Sequence, residues 1–133
     1  MNDQPRIAFA LLTLRLGVFV VMLVWTLDKF VNPEHAARVY ENFYLIGGLG
    51  RPVFLLIGAV ELVVLAGFLL GYQKRVTYGL VLVLHGVSTL SAYHQYLAPF
   101  DNLLFFAAWP MLAACFTLYS LRDLDTRWTI FPA

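Results

Sequence analysis

Residues 52–71 read PVFLLIGAVELVVLAGFLLG, a run in which the only charged side chain is Glu61. A helix of about 20 apolar residues is long enough to cross the hydrocarbon core of a bilayer, which is about 30 Å thick. Three further runs of similar length lie at residues 7–27, 76–97 and 102–121. The sequence therefore predicts an all-α integral membrane protein, a bundle of four membrane-spanning helices.

The composition of the whole chain agrees with this prediction. Of its 133 residues, 61% are hydrophobic and 13% are charged, and the mean hydropathy is +0.76, whereas a soluble domain is about 25% charged.

The net charge of +1 argues against a nucleic-acid partner, because no basic surface is available. A single cysteine, Cys115, disfavours disulfide chemistry, and no metal site is predicted. We expect one membrane domain, residues 1–133.

The longest connector between predicted spans, residues 30–51, carries a helix signal of its own. Asn32-Pro33-Glu34 is typical of a helix start, with an N-cap, a proline in the first turn and an acidic side chain near the positive end of the helix dipole. Apolar residues then recur at helical spacing among polar ones. We predict a short amphipathic helix at residues 33–46 that lies on the membrane surface. A solvated loop is the alternative.

Basic residues predict the orientation of the chain, since cytoplasmic loops of membrane proteins carry an excess of Lys and Arg. The side that holds both termini has five: Arg6, Lys74, Arg75, Arg122 and Arg127. The opposite side has three: Lys29, Arg38 and Arg51. Both termini are therefore predicted to lie in the cytoplasm, with the long connector on the outer side.

Three polar residues inside the predicted spans are candidates for a functional site. At a rise of about 1.5 Å per residue, Arg15, Glu61 and His85 lie about 12, 15 and 14 Å from the predicted cytoplasmic ends of their helices. We therefore predict a buried charged layer, with an Arg15–Glu61 ion pair and His85 beside it. Glu61 and His85 are the catalytic candidates, because either could accept or pass a proton. In the structural alternative, the ion pair only sets the helix register.

A quinone-binding site needs an apolar groove with one or two polar groups that bond the ring oxygens. Five aromatic or basic residues lie toward the predicted outer end of the bundle: Trp25, Lys29, Tyr93, His94 and Tyr96. They are the predicted quinone contacts, and Lys29 or His94 could donate to a quinone oxygen. In the structural alternative, Tyr93, His94 and Tyr96 form an aromatic belt at the membrane interface.

Two segments resemble a known family. Arg15-Leu-Gly17, the apolar run to Trp25 and Lys29-Phe30 are similar to the first-helix signature of the DoxX-like (DoxX/DoxD) membrane proteins. Gly50-Arg51-Pro52, Glu61, Gly67 and Gly71 are similar to the second-helix signature. The resemblance covers about residues 7–121. It implies four helices, a bacterial or archaeal inner membrane and an association with redox systems, in which some members are quinone-linked subunits.

Three functions follow as hypotheses. The first is an accessory subunit of a quinone-linked redox assembly in the bacterial inner membrane. It would have no intrinsic cofactor but would contribute to a quinone or quinol pocket, with lipid, other subunits or a second copy as partners. The second is a purely structural subunit that stabilises a larger membrane complex. The third is a small transporter or proton-conducting element. We expect an accessory subunit in preference to a self-sufficient enzyme.

Overall fold

The computed structural model describes residues 3–130, and its elements confirm the predicted all-α class. The four longer helices are α1 (Gln4–Val31), α3 (Arg51–Leu69), α4 (Lys74–Ser91) and α6 (Ala108–Ser120). Two shorter helices are α2 (Pro33–Phe43) and α5 (Tyr93–Tyr96). Three 3₁₀ turns lie at Pro99–Asp101, Leu103–Ala107 and Arg122–Leu124.

Three helical segments of the described chain are long and apolar enough to cross a membrane: α1, α3 and the combined segment Leu103–Ser120. By length and composition the chain is thus a multi-pass membrane protein. The remaining long helix, α4, has 18 residues but a more polar composition. It begins with Lys74-Arg75 and carries His85 together with several hydroxyl side chains.

The four long helices pack in a ring in the order α1, α3, α4, α6. Residue pairs show that α1 and α3 are antiparallel, since Thr26 bonds to Glu61 and the Phe30 ring lies against Gly58. The chain therefore runs alternately up and down the bundle. The core between the helices is apolar and contains Leu11, Val18, Met22, Leu65, Phe68, Tyr78, Val81, Cys115 and Leu118.

α2 confirms the helix that was predicted in the long connector, although it ends at Phe43 instead of residue 46. The Asn32 side chain caps it by accepting a hydrogen bond from the His35 amide at 3.4 Å. His35 Nδ1 also lies 2.5 Å from Asp28 Oδ2 at the end of α1, and the Tyr40 ring packs edge-on against α3. These contacts hold α2 across one end of the bundle, which we call the α2 end.

The predicted third and fourth spans differ in detail from the observed helices. α4 ends at Ser91, and a turn at Ala92 separates it from the single turn of α5. The fourth segment begins as a 3₁₀ helix and becomes α-helical at Ala108. Pro110 consequently lies in the first turn of α6, where its missing N–H costs no helical hydrogen bond.

After α6 the chain folds back onto the end of the bundle opposite α2. We call this stretch, Arg122–Ile130, the C-terminal segment. The Ile130 amide donates to the Leu70 carbonyl oxygen at 2.9 Å, and a β-carbon added to Gly71 would lie only 2.8 Å from Thr129 Cβ. Gly71 has a φ of +63°, a left-handed conformation that favours glycine. The turn after α3 is thus shaped to receive the C-terminal segment.

Replacing Gly71 by alanine adds both backbone strain and overlap with Thr129. We expect the free energy of unfolding, measured by SDS titration of the purified chain in mixed micelles, to fall by about 2–5 kcal/mol. Gly48→Ala is the matched control for strain alone, since its φ is +77° but its new β-carbon meets nothing within 4 Å. Gly17→Ala, with neither effect, sets the baseline. If Gly71→Ala and Gly48→Ala lowered the free energy of unfolding equally, the result would contradict close packing of Gly71 against Thr129.

Candidate functional site

Arg15 is fully buried, and its ionic partner is Asp125. Arg15 Nη1 donates to Asp125 Oδ1 at 2.8 Å and to the Tyr78 hydroxyl at 3.3 Å. Arg15 Nη2 donates to the carbonyl oxygen of Arg127 at 2.5 Å. The predicted Arg15–Glu61 ion pair is therefore wrong.

The register of α1 and α3 explains this error. Thr26 of α1 bonds to Glu61 of α3. Because the two helices are antiparallel, moving eleven positions back along α1 to Arg15 corresponds to moving eleven positions forward from Glu61. Arg15 therefore lies level with residue 72, in the turn between α3 and α4. The predicted depths assumed that all helices begin at one level, whereas α1 extends past the start of α4. Arg15 lies about 15 Å along α1 from Trp25, which stacks on His85. The predicted single charged layer is thus two separate groups of residues.

Asp125 was not identified from the sequence. Its side chain is 0% exposed, and its Oδ2 accepts a hydrogen bond from the Tyr78 hydroxyl at 2.5 Å. Lys74 is buried as well and donates to the carbonyl oxygens of Asp125 and, at 3.2 Å, Arg122. We call Arg15, Lys74, Tyr78 and Asp125 the Arg15 cluster. It binds the C-terminal segment to the bundle, which favours a structural role for Arg15.

Glu61 lies nearer the α2 end. Its Oε2 accepts hydrogen bonds from Thr26 Oγ1 at 2.9 Å and from Lys29 Nζ at 3.3 Å. The side chains of Lys29 and Glu61 are 12% and 15% exposed, so this ion pair is partly accessible. Burial, and then the nearby Glu61 carboxylate, raise the pKa of Tyr40 to about 12. Tyr40 therefore remains a neutral phenol beside this pair at physiological pH.

His85 is buried at the centre of α4 and makes two well-defined contacts. Its Nε2 lies 3.1 Å from the carbonyl oxygen of Ala108 in α6. Its ring stacks on Trp25 of α1, with centroids 5.8 Å apart and an angle of 29° between the rings. Its Nδ1 is buried without a hydrogen-bond partner among residues 3–130. Nε2 is thus in hydrogen-bond contact, whereas Nδ1 has no hydrogen-bond partner in the described part of the chain.

Two cavities flank the stacked Trp25 and His85 rings. The Tyr96 cavity, of about 370 Å³, lies between α1, α4 and α6, and its lining includes Trp25, His85, Tyr96, Phe105 and Met111. The Glu61 cavity, of about 670 Å³, lies between α1, α3 and α4, and its lining includes Trp25, Lys29, Glu61 and His85. Phe43 and Tyr44, at the end of α2, border both cavities. The two cavities are therefore neighbouring compartments at the α2 end.

The structure brings three of the five predicted quinone contacts to these cavities. Trp25 borders both, Lys29 borders the Glu61 cavity and Tyr96 borders the Tyr96 cavity. Tyr93 and His94 border neither of the two. Both side chains are exposed, and their rings pack on each other with centroids 4.1 Å apart. They lie apart because the turn at Ala92 interrupts the continuous helix that was predicted for residues 76–97.

Removing the carboxylate of Asp125 leaves the Arg15 guanidinium buried without its counter-charge. Asp125→Ala is expected to lower the free energy of unfolding in mixed micelles by about 3–5 kcal/mol. Asp123→Ala, two residues away and exposed, is the matched control and is expected to change it by less than about 0.5 kcal/mol. The double variant Arg15→Met, Asp125→Leu removes both charges and should recover most of the loss. Similar losses in the two single variants would contradict a buried ion pair.

Comparison of the chain with known proteins adds no family assignment. No protein-family model, no curated protein and no solved structure matches it. The resemblance to the DoxX-like proteins therefore stays a prediction from short motifs, and the candidate site is defined by the geometry of its own residues.

Proposed function

We propose that this chain is a small quinone-binding subunit of a redox assembly in a bacterial inner membrane. It crosses the membrane four times with both termini in the cytoplasm, and other subunits hold the electron-transfer centres. One observation carries the proposal. The Tyr96 cavity is apolar and aromatic, and it is bordered by a buried histidine whose Nδ1 has no partner among the described residues.

We assign the fourth crossing to α4, because apolar side chains cover its outer face along the whole helix. They recur every three or four residues and are 42–65% exposed: Val76, Leu80, Val83, Val87 and Leu90. Val83, Val87 and Leu90 also border the Glu61 cavity. Its polar residues Tyr78, His85 and Thr89 are buried. A helix on a water-facing surface has the reverse arrangement. The polar composition of α4 thus reflects what it presents to the bundle interior, while its outer face suits lipid.

The orientation rests on the basic residues, and the Arg15 cluster is compatible with it. Arg15 lies level with the turn between α3 and α4, which in a four-span topology is close to the membrane–water interface. A buried charge costs less there than at the centre of the bilayer. The excess of basic residues at this end favours the cytoplasmic side.

The Tyr96 cavity suits a substituted aromatic ring. Its volume of about 370 Å³ is within the usual range of small-ligand sites, which are mostly apolar with a few polar groups that fix the orientation. Trp25 and Tyr96 provide aromatic walls, and Phe105 and Met111 provide apolar surface for an alkyl chain. His85 is the histidine that borders this compartment. The residues present therefore fit a quinone ring.

The neighbouring Glu61 cavity supplies groups that exchange protons. A quinone contributes redox chemistry that couples two electrons to two protons, while the protein supplies binding and orientation. His85 borders both cavities, and Glu61 and Lys29 are bonded to each other and partly exposed. We propose that Glu61 exchanges protons between this compartment and the aqueous phase at the α2 end.

A purely structural accessory subunit is the second candidate function. The Arg15 cluster favours it, because four buried polar side chains there serve to hold the C-terminal segment in place. The two candidates share the four-span topology and differ in whether the chain retains a quinone.

Cysteine labelling tests the fourth crossing. In a Cys115→Ala background, Phe100→Cys is expected to react with a membrane-impermeant maleimide in intact spheroplasts, and Tyr72→Cys only after permeabilisation. Both parent side chains are exposed, and native Cys115 is buried. Thr126→Cys is the control and should label together with Tyr72→Cys, because the C-terminal segment lies at the α3–α4 turn. Labelling of Tyr72→Cys and Phe100→Cys from one side would contradict the crossing by α4.

Filling the Tyr96 cavity tests quinone binding. The full chain, purified from bacterial membranes in mild detergent, is expected to retain a quinone detected by mass spectrometry. Ser88→Phe places a ring where Ser88 borders both cavities and should lower the retained quinone about tenfold or more. Leu80→Phe, on the outer face of α4, is the matched control and should retain it.

The proteins that co-purify decide between the two candidate functions. Redox subunits together with a quinone are the expected result for the wild-type chain. Protein partners without any quinone in the wild type would overturn the quinone proposal in favour of the structural role. Recovery of the chain with neither a protein partner nor a quinone would contradict both candidate functions.

A further inference from the structure

The Glu61 cavity reaches the outer face of α4. Its lining includes Val83, Val87 and Leu90, which are 54–65% exposed on the face that the proposed topology turns toward lipid. Lys29 and Glu61 border the same cavity, which has a volume of about 670 Å³. The cavity therefore combines a charged pair with an apolar rim that lipid chains can contact. An amphiphilic ligand requires both.

The charged pair lies near the ends of the helices. Glu61 is level with Thr26, to which it bonds, and Thr26 is five residues, about 8 Å, from the end of α1. Ser91, the last residue of α4, also borders the cavity. Val83 and Val87 lie eight and four positions before it, toward the centre of the bundle. The cavity thus has a polar end near the membrane surface and an apolar part that lies deeper.

The ion pair keeps bonding capacity for a ligand. Glu61 Oε2 accepts from Thr26 Oγ1 at 2.9 Å and from Lys29 Nζ at 3.3 Å, whereas none of the described residues donates to Glu61 Oε1. The ammonium group of Lys29 has three N–H donors, and the side chains of Lys29 and Glu61 are 12% and 15% exposed. In an apolar cavity, further charge-assisted hydrogen bonds to both members stabilise such a pair. The fitting ligand therefore carries a cation and an anion.

We infer that the Glu61 cavity binds an ethanolamine phospholipid. The ammonium group of the lipid donates to Glu61 Oε1, the phosphate accepts from Lys29, and an acyl chain lies along Val83 and Val87. This inference goes beyond the proposed function, which places the quinone in the Tyr96 cavity. The lipid ammonium carries exchangeable protons, so its presence is compatible with proton exchange at Glu61.

Charge complementarity selects this headgroup among common phospholipids. The Lys29–Glu61 pair is neutral as a whole, so the anionic headgroup of phosphatidylglycerol meets the Glu61 carboxylate without a compensating cation. Phosphatidylcholine has the same charges as phosphatidylethanolamine, but its quaternary ammonium group has no N–H to donate. The pair therefore favours a headgroup with both a phosphate and a protonated amine.

Native mass spectrometry of the full chain in mild detergent measures this selectivity. The delipidated protein is titrated with phosphatidylethanolamine, phosphatidylglycerol and phosphatidylcholine that carry the same acyl chains. The dissociation constant for phosphatidylethanolamine is expected to be lower than that for either other lipid by about tenfold. Equal binding of the three lipids, as expected if water alone solvates the ion pair, would overturn the inference. This comparison uses the wild-type chain and does not depend on the folding of a variant.

Glu61→Gln tests the headgroup contact. It keeps the shape of the side chain but leaves Lys29 without a neighbouring anion, so the preference for phosphatidylethanolamine over phosphatidylglycerol should disappear. Glu34→Gln is the matched control, because Glu34 is exposed on α2 and borders neither cavity. It should retain the preference, and its loss in both variants would contradict recognition by Glu61.

Leu90→Trp tests the apolar rim without changing a charge. The larger ring at the edge of the Glu61 cavity should weaken binding of phosphatidylethanolamine about tenfold. Leu80→Trp makes the same substitution on the outer face of α4 but away from both cavities, and it should bind the lipid normally. Leu90 does not border the Tyr96 cavity, so Leu90→Trp should retain the co-purified quinone.

The outcomes separate this inference from the proposed function. Loss of both the lipid and the quinone in Leu90→Trp would overturn the assignment of the two ligands to separate cavities. Selective binding of phosphatidylethanolamine by a wild-type chain that retains no quinone would support the inference and overturn the quinone proposal.

Discussion

The buried guanidinium of Arg15 is the constraint on which the rest of the structure depends. Arginine keeps its charge in proteins, so a side chain with 0% exposure must meet an anion and several acceptors. Asp125 supplies the anion, and Tyr78 and the carbonyl oxygen of Arg127 accept further hydrogen bonds. These partners come from α4 and the C-terminal segment, so one charge fixes three parts of the chain relative to each other.

The same pairing of α1 with α4 builds the candidate site at the opposite end. α1 and α4 lie diagonally across the bundle, and they approach through long side chains: Arg15 with Tyr78 at one end, Trp25 with His85 at the other. Between two such contacts the helices keep a fixed separation. At the α2 end that separation leaves room for the two cavities, which α2 covers with Phe43 and Tyr44.

Much of the fold could be predicted because its signals are local. The apolar runs identify the long helices by length, and Asn32-Pro33-Glu34 identifies the start of α2 by its capping chemistry. The partner of Arg15 could not be predicted in this way, because Asp125 is 110 positions away and its neighbourhood is typical of a solvated tail. The turn at Ala92 was missed as well, since no glycine or proline marks it.

The same distinction between local signals and long-range contacts applies to the residues of the candidate site. Glu61, His85 and Trp25 could be identified from residue type and position in an apolar helix, because polar groups there need partners. Their arrangement into two compartments depends on how far α1 extends past α4, and no single segment of the sequence contains that offset. Depth estimates for membrane helices therefore need at least one inter-helix contact to set their common origin.

The distance in sequence between Arg15 and Asp125 also sets an order of events during biosynthesis. The chain is made from its N-terminus, so α1 is synthesised 110 residues before its counter-ion. Throughout that interval the Arg15 guanidinium needs other hydrogen-bond acceptors. Docking of the C-terminal segment then replaces these temporary partners. Closure of the bundle thus follows synthesis of the C-terminal segment, and a subunit that recognises the closed bundle can join only after that step.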